Sequence, residues 1–221
     1  MEMPDVAGLY AITPEERDSA RLLARVEGAL EGGARVVQYR SKDGAIADKR
    51  AQARSLQRLC ERYRVPLIIN DSLELALDCG AAGCHLGGGD GDIAAARAAL
   101  GPERVLGVSC YDSLERAIAA RAQGADYIAF GSVFPSSSKP RAVRAPLALF
   151  AAARRHGLDC PLVGIGGITA DNIDELIGAG ASAAAVIAAL FCADSREGVR
   201  TRARSLACHF STTLESNSVL P

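Results

Sequence analysis

The chain has 221 residues, 49% of them hydrophobic, with 25 Lys+Arg against 26 Asp+Glu and a formal net charge of −1. That length suits one large domain or two small ones with a sizeable core. The balanced charge excludes the global basic field needed to bind nucleic acid or an anionic membrane, though not a small anion site. With no Trp and 5% aromatics, the core must come from Ala, Leu, Val and Ile, which favours helices on a parallel sheet over an aromatic-rich β-sandwich.

Met1 to Ile12 lacks the basic and apolar stretches of a secretory leader, and a first strand is predicted over 8–12. Helical periodicity follows over Pro14–Leu30, with Glu15-Glu16 placed to open that helix acidic end first. Further strands are expected at 35–39, 66–69, 82–86, 104–108, 126–130, 161–165 and 183–187. Helical segments fall between them, including Ile46–Arg62, Ser113–Gln123 and Ala170–Ala179, the last opened by Asp171-Asn172. One turn recurs: Gly33-Ala34 before VVQYR, Gly80-Ala81 before GCHLG, Gly124-Ala125 before DYIAFG and Gly180-Ala181 before SAAAVI. Glycine just past a helix end adopts the left-handed conformation that turns the chain back to the sheet. Eight strands and eight helical segments predict a single-domain (β/α)8 TIM barrel over 1–210, with a Ser/Thr-rich tail over 211–221 expected to be disordered. A doubly wound sheet is the structural alternative.

The longest apolar run, Ala179 to Cys192, is too short to span a bilayer comfortably and reads as a strand entering a helix. The seven cysteines, at 60, 79, 84, 110, 160, 192 and 208, show no two-residue spacing and are odd in number. They read as small buried hydrophobes in a reducing cytoplasm.

In a parallel barrel the loops after the strands share one mouth, and polar residues collect there in this sequence. The second strand ends in Gln38, Arg40 and Lys42, the third in Asn70-Asp71, the fourth in His85 and then Gly87-Gly88-Gly89-Asp90, and the fifth in Ser109. The sixth leads into FPSSSKP, the seventh into Gly166-Gly167, and the eighth ends near Ile187-Ala188. Gly166-Gly167 before a helix suits phosphate binding through backbone N–H groups, or else makes a plain tight turn. Arg40, Lys42 and Lys139 suit a second anion, with Ser136, Ser137 and Ser138 adding hydroxyls. Two carboxylates about 5 Å apart repel by ~3 kcal/mol at an effective dielectric of about 20. Asp71 and Asp90, if they converge, therefore favour a cation such as Mg2+. Taken singly, each reads first as a helix N-cap, Asp71 before Ser72–Leu77 and Asp90 before Ile93–Leu100, and only the pair favours the metal. His85 reads as a satisfied core histidine, and no nucleophile–histidine arrangement is evident.

The ordered series GLYAIT, VVQYRSKD, PLIINDSLELAL, GCHLGGGD, LGVSCYD, GADYIAFGSVFPSSSKP and VGIGGIT closely resembles the thiamine-phosphate synthase (thiamine-phosphate pyrophosphorylase) family, from about Gly8 to Phe191. The resemblance implies a transferase on a (β/α)8 barrel. It would join hydroxymethylpyrimidine diphosphate to a thiazole phosphate, making thiamine phosphate and diphosphate in an Mg2+-assisted dissociative displacement. Carried over residue by residue, Gln38, Tyr39, Arg40, Ser41, Lys42 and Asn70 would hold the pyrimidine diphosphate. Ser109 and Lys139 would also touch it, and Arg40, Lys42, Ser109 and Lys139 would be the catalytic set. Asp71 and Asp90 would ligate Mg2+, while Ser136, Ser137, Ser138, Gly167, Ile187 and Ala188 would line the thiazole phosphate site. The chain departs from the family pattern at Gly88-Gly89, where an acidic residue is common, at Ser136–Ser138 in place of Thr-x-Thr, and at Ala188 in place of Ser.

The expected partners are these small molecules, with no nucleic acid and no membrane, in the cytoplasm; a homo-oligomer stays open. Two rival functions remain at this level: a thiazole tautomerase of the same superfamily, which would not need the diphosphate and metal set, and a non-catalytic phosphate-ligand binder.

Overall fold

The computed structural model describes residues 4–87, 91–135 and 143–216, with residues 211–216 described by backbone alone. Eight parallel strands close in sequence order into a barrel. They are β1 Gly8–Ile12, β2 Val36–Tyr39, β3 Leu67–Asn70, β4 Gly83–Leu86, β5 Val105–Tyr111, β6 Tyr127–Gly131, β7 Leu162–Ile165 and β8 Ala183–Val186. Around them run α1 Ser19–Glu31, α2 Ile46–Tyr63, α3 Leu73–Cys79, α4 Ile93–Leu100, α5 Leu114–Ala122, α6 Ala148–Arg155, α7 Ile173–Gly178, α8 Ala188–Phe191 and α9 Arg196–Ser216. The predicted single-domain barrel is the observed one, and the doubly wound alternative is excluded by β1 pairing with β8.

The recurring Gly-Ala turn builds this ring by one hydrogen-bond pattern. At Gly33, Gly80, Gly124 and Gly180, all at positive φ, the glycine N–H donates three residues back. The following alanine donates five residues back, as Ala34 to Ala29 and Ala81 to Ala76. That closes the orphan carbonyls of the helix end. The next residue then enters the sheet, as Asp126 N–H does on Leu106 O and Ser182 N–H on Leu162 O. The same two side chains accept from the partner strands' N–H groups, Asp126 from Leu106 and Ser182 from Leu162.

Strand side chains alternate between two layers. Val36, Tyr10, Ile68, Val105, Tyr127, Ala129, Val163, Ala183 and Ala185 fill the barrel interior. Val37, Tyr39, Leu67, Ile69, Ile128, Phe130 and Leu162 face the helices. The helix α9 occupies the outer ring beside α1, and two α1 glycines permit the approach: a Cβ at Gly28 would meet Arg196 O at 2.3 Å, and one at Gly32 would meet Ala203 Cβ at 2.4 Å.

The helix starts differ from expectation. The first helix begins at Ser19 because Asp18 caps it, accepting from Ala20 and Arg21 N–H. Glu15 and Glu16 precede it and serve elsewhere. Ser72 rather than Asp71 caps α3, and Asp92 caps α4. Short α8 makes nine helices among the described residues rather than eight. The last helix runs to Ser216, beyond the expected domain end at 210. Cysteines 60, 84, 110 and 160 are buried and 79 is partly so, but Cys192 and Cys208 are exposed at the ends and outer faces of helices. No described helix is long and apolar enough to cross a membrane.

Candidate active site

The strand C-termini gather the polar residues at one end, as parallel closure requires. The β1 and β2 ends are joined by Thr13, a fully buried residue. Its hydroxyl accepts from the Arg40 N–H at 2.9 Å and donates to the Arg40 carbonyl at 3.3 Å. Beyond β2 the chain turns through Ser41-Lys42-Asp43, and Glu15 holds this turn: its carboxylate accepts from Ser41 Oγ at 2.8 Å, Lys42 N–H at 2.9 Å and Asp43 N–H at 3.2 Å. Desolvation alone would raise the Glu15 carboxyl, but these hydrogen bonds and the nearby Arg40 charge outweigh it and hold the group below its ordinary value. Lys49 Nζ donates to the Lys42 carbonyl at 2.9 Å. Arg40 is half-buried and Lys42 exposed at the rim.

Glu16 has a separate task. It accepts from Arg21 at 2.5 Å and lies 3.5 Å from Arg25, and Arg25 in turn donates to the Phe191 carbonyl at the end of α8. The loop after β1 is thereby tied to the short helix after β8.

Of the sequence-predicted site residues, Gln38 points into the barrel and Tyr39 does not. The Tyr39 hydroxyl donates to Gln52 Oε1 at 2.7 Å within the layer between sheet and helices. Any contact from Tyr39 to a ligand in the mouth must therefore use its backbone. Alternation along the strand is the reason: neighbours face opposite sides. Asn70 ends β3 and pairs with His85 of β4. Asp71 follows at φ 63°, a left-handed conformation that Asp tolerates better than most side chains, and its N–H donates to the His85 carbonyl at 2.8 Å. Its carboxylate is exposed, and the cap of α3 is the neighbouring Ser72. Asp90, Ser136, Ser137, Ser138 and Lys139, like Gly88 and Gly89, lie outside the described residues. Among the described residues, no three His, Cys, Asp or Glu side chains group as a metal site by themselves.

On the opposite rim Gly166 and Gly167 have φ 103° and 69°. A Cβ at Gly167 would lie 2.3 Å from the Pro135 carbonyl oxygen, so both conformation and space demand glycine. Asn172 fixes this turn, donating to the Gly167 carbonyl at 3.0 Å and accepting from Thr169 N–H at 2.8 Å. That task draws Asn172 out of α7 and delays the helix to Ile173. Ile187 is partly buried against the barrel interior, and exposed Ala188 opens α8.

Below the mouth lies a chain of hydrogen bonds that the sequence did not reveal. Gln38 Nε2 donates to Tyr10 Oη at 2.9 Å, and Tyr10 and Tyr127 hydroxyls are 2.8 Å apart. Tyr127 Oη is 2.8 Å from His85 Nδ1, and His85 Nε2 is 2.8 Å from Ser109 Oγ. The reading of His85 as a satisfied core histidine fits, and its partners also link it to Ser109, a residue the sequence predicts for the site. The available signal was a pair of phenols at inward strand positions in a chain poor in aromatics, since a buried tyrosine hydroxyl needs a partner.

Comparison with known proteins bears on the whole chain. Residues 9–190 match the family model described as thiamine monophosphate synthase. The thiamine-phosphate synthase of Aromatoleum aromaticum is 56% identical over 191 residues, covering 86% of this chain and 91% of that protein. The one from Chromobacterium violaceum is 52% identical over 207 residues, 94% of this chain and 98% of that protein. Among solved structures, thiamine phosphate pyrophosphorylase from Pyrococcus furiosus superimposes with a TM-score of 0.82 at 31% identity, covering 96% of this chain and all of that one. A barrel of this closure, a polar rim in this order and matches of this length have one reading: the chain belongs to the thiamine-phosphate synthase family.

Proposed function

We propose that this chain is the transferase that joins 4-amino-2-methyl-5-hydroxymethylpyrimidine diphosphate to hydroxyethylthiazole phosphate, forming thiamine phosphate and releasing diphosphate. The observation that carries this reading is the arrangement of Gln38, Arg40, Lys42, Asn70, Asp71 and Ser109 toward the ends of β2, β3 and β5, in a chain more than half identical to named synthases.

The division of labour follows from charge. Arg40 and Lys42 meet the diphosphate, and Glu15 keeps their loop in place so that little ordering remains to be done on binding. Asp71 and Asp90 would hold Mg2+, whose charge offsets that of the departing diphosphate. Gln38, Asn70, Ser109 and Lys139 hold the pyrimidine; Ser136, Ser137, Ser138, Gly167, Ile187 and Ala188 line the thiazole phosphate site. The bond from the pyrimidine methylene to the diphosphate oxygen breaks with its electron pair leaving on oxygen. The thiazole nitrogen then gives its lone pair to that carbon. Such a displacement asks for electrostatic stabilisation and alignment rather than a strong base, which agrees with a rim of cations and amides. We place the enzyme in the cytoplasm; seven free cysteines support a reducing compartment. The rival tautomerase and the silent binder are less favoured, because the relatives above are named as synthases.

Incubation of the purified protein with both substrates and Mg2+ tests the reading. Thiamine phosphate and diphosphate are expected in equal amounts, with both abolished by EDTA. Isomerisation of a thiazole substrate without diphosphate release would establish the tautomerase instead, and binding without conversion the silent binder.

A further inference from the structure

We propose that Gln38 and Ser109, on β2 and β5, are coupled through the barrel interior: Tyr10, Tyr127 and His85 form a directional hydrogen-bond chain that fixes whether Ser109 offers a proton or a lone pair to the mouth.

The geometry is continuous, with four successive contacts of 2.8 to 2.9 Å. Gln38 and His85 are buried, and Tyr10 and Tyr127 are 1% and 0% exposed, so water does not compete for the phenols. The rings are also held in place. Tyr127 packs edge-on to Tyr10 and stacks on His85 with centroids 5.5 Å apart. Room for it comes from Gly107, where a Cβ would fall 2.0 Å from Tyr127 Cζ. Burial pushes both phenols above their ordinary value, so each keeps its single proton and can donate only one hydrogen bond.

Directionality follows from proton counting. A neutral imidazole has one donor and one acceptor nitrogen, and each hydroxyl donates once. With the Gln38 amide nitrogen facing Tyr10, the Tyr10 proton goes to Tyr127 and the Tyr127 proton to His85 Nδ1. The ring then carries its proton on Nε2 and donates to Ser109 Oγ, leaving the Ser109 proton for the mouth. If an acceptor replaces the amide nitrogen, every link reverses: Tyr10 donates to residue 38, Tyr127 to Tyr10, and His85 Nδ1–H to Tyr127. Ser109 must then donate to Nε2 and presents only lone pairs. Tyr10, Tyr127 and His85 are thus positioning residues, acting on ligand through the two ends. The functional consequence rests on the reading of Gln38 and Ser109 as substrate contacts, whereas the chain itself can be tested without substrate.

The test is the tautomer of His85, read from the 15N shifts of labelled histidine in the whole unliganded protein at about pH 8, where an unperturbed imidazole is neutral. The His85→Gln variant separates its signals from those of His156 and His209. The wild type is expected to be protonated on Nε2, and Gln38→Glu to move the proton to Nδ1. Adding Tyr127→Phe should remove the dependence on residue 38. A ring with the same tautomer in wild type and Gln38→Glu, a ring protonated on both nitrogens, or a Gln38→Glu response that survives Tyr127→Phe would each overturn the proposal. If the tautomer responds as expected but the protein makes no thiamine phosphate, the chain stands and the functional reading falls.

Discussion

The two faces of the barrel strands, one pair of layers on a single backbone, are built on opposite rules. Along β6, Ile128 and Phe130 face the helices in the larger apolar cluster, while Tyr127 and Ala129 face the interior. Along β2, Val37 and Tyr39 face out while Gln38 faces in. The outer face buries aliphatic area and holds the ring of helices. The inner face mixes Val, Ile and Ala with phenols, an amide and an imidazole whose polar atoms are paired with each other. The lesson is that stability and chemistry are assigned by the parity of a residue in its strand, so single substitutions can address them separately.

The largest effect on stability is expected on the outer face. Ile128 is fully buried, and Ile128→Ala should cost about 2–5 kcal/mol and lower the melting temperature clearly, while the folded protein keeps its kcat. A matching loss of kcat per folded molecule would break the separation between the faces. At the rim, Arg40→Ala should lower kcat/KM on the order of 100-fold, about 2.7 kcal/mol, by removing charge from the diphosphate, with little change in melting. A smaller change is expected at Glu15→Gln. Loss of a charged acceptor from the turn should raise KM for the pyrimidine diphosphate by up to roughly tenfold, with kcat nearly constant. The same carboxylate sets a pH dependence. Because its folded value is depressed, its contribution is complete above the ordinary glutamate value and is lost as pH falls through the lower folded one. Wild-type KM should therefore rise relative to Glu15→Gln only in that acidic range. The smallest effect belongs to the exposed helix pair Arg54–Asp78, 3.1 Å apart. Arg54→Ala should change stability by about 0–1 kcal/mol and leave kinetics alone, as thermal melts and initial rates would show.

The barrel was legible because its signals are local. Each Gly-Ala turn and the strand after it lie within a few residues, and the predicted strands agree with the observed ones to within a few residues at either end. Helix starts were less so, since Asp18, Ser72 and Asp92 competed with nearby acidic residues for the cap and won it. At the site, the polar strand ends could be read from topology alone. Tyr39 stands among those strand ends, but strand parity turns its side chain to the helices. The Tyr10–Tyr127 contact joins residues 117 positions apart, and the role of Glu15 at the β2 turn spans 26 to 28. Closure of the barrel creates such pairings, and no local pattern announces them.

The most direct test of a diphosphate-expelling rim is the Asp71→Asn variant, assayed for thiamine phosphate at saturating substrates and Mg2+ beside a thermal melt. Turnover should fall roughly 100-fold or more with the melting temperature nearly unchanged. Turnover equal to that of the unsubstituted chain would contradict the assignment of the rim to diphosphate departure.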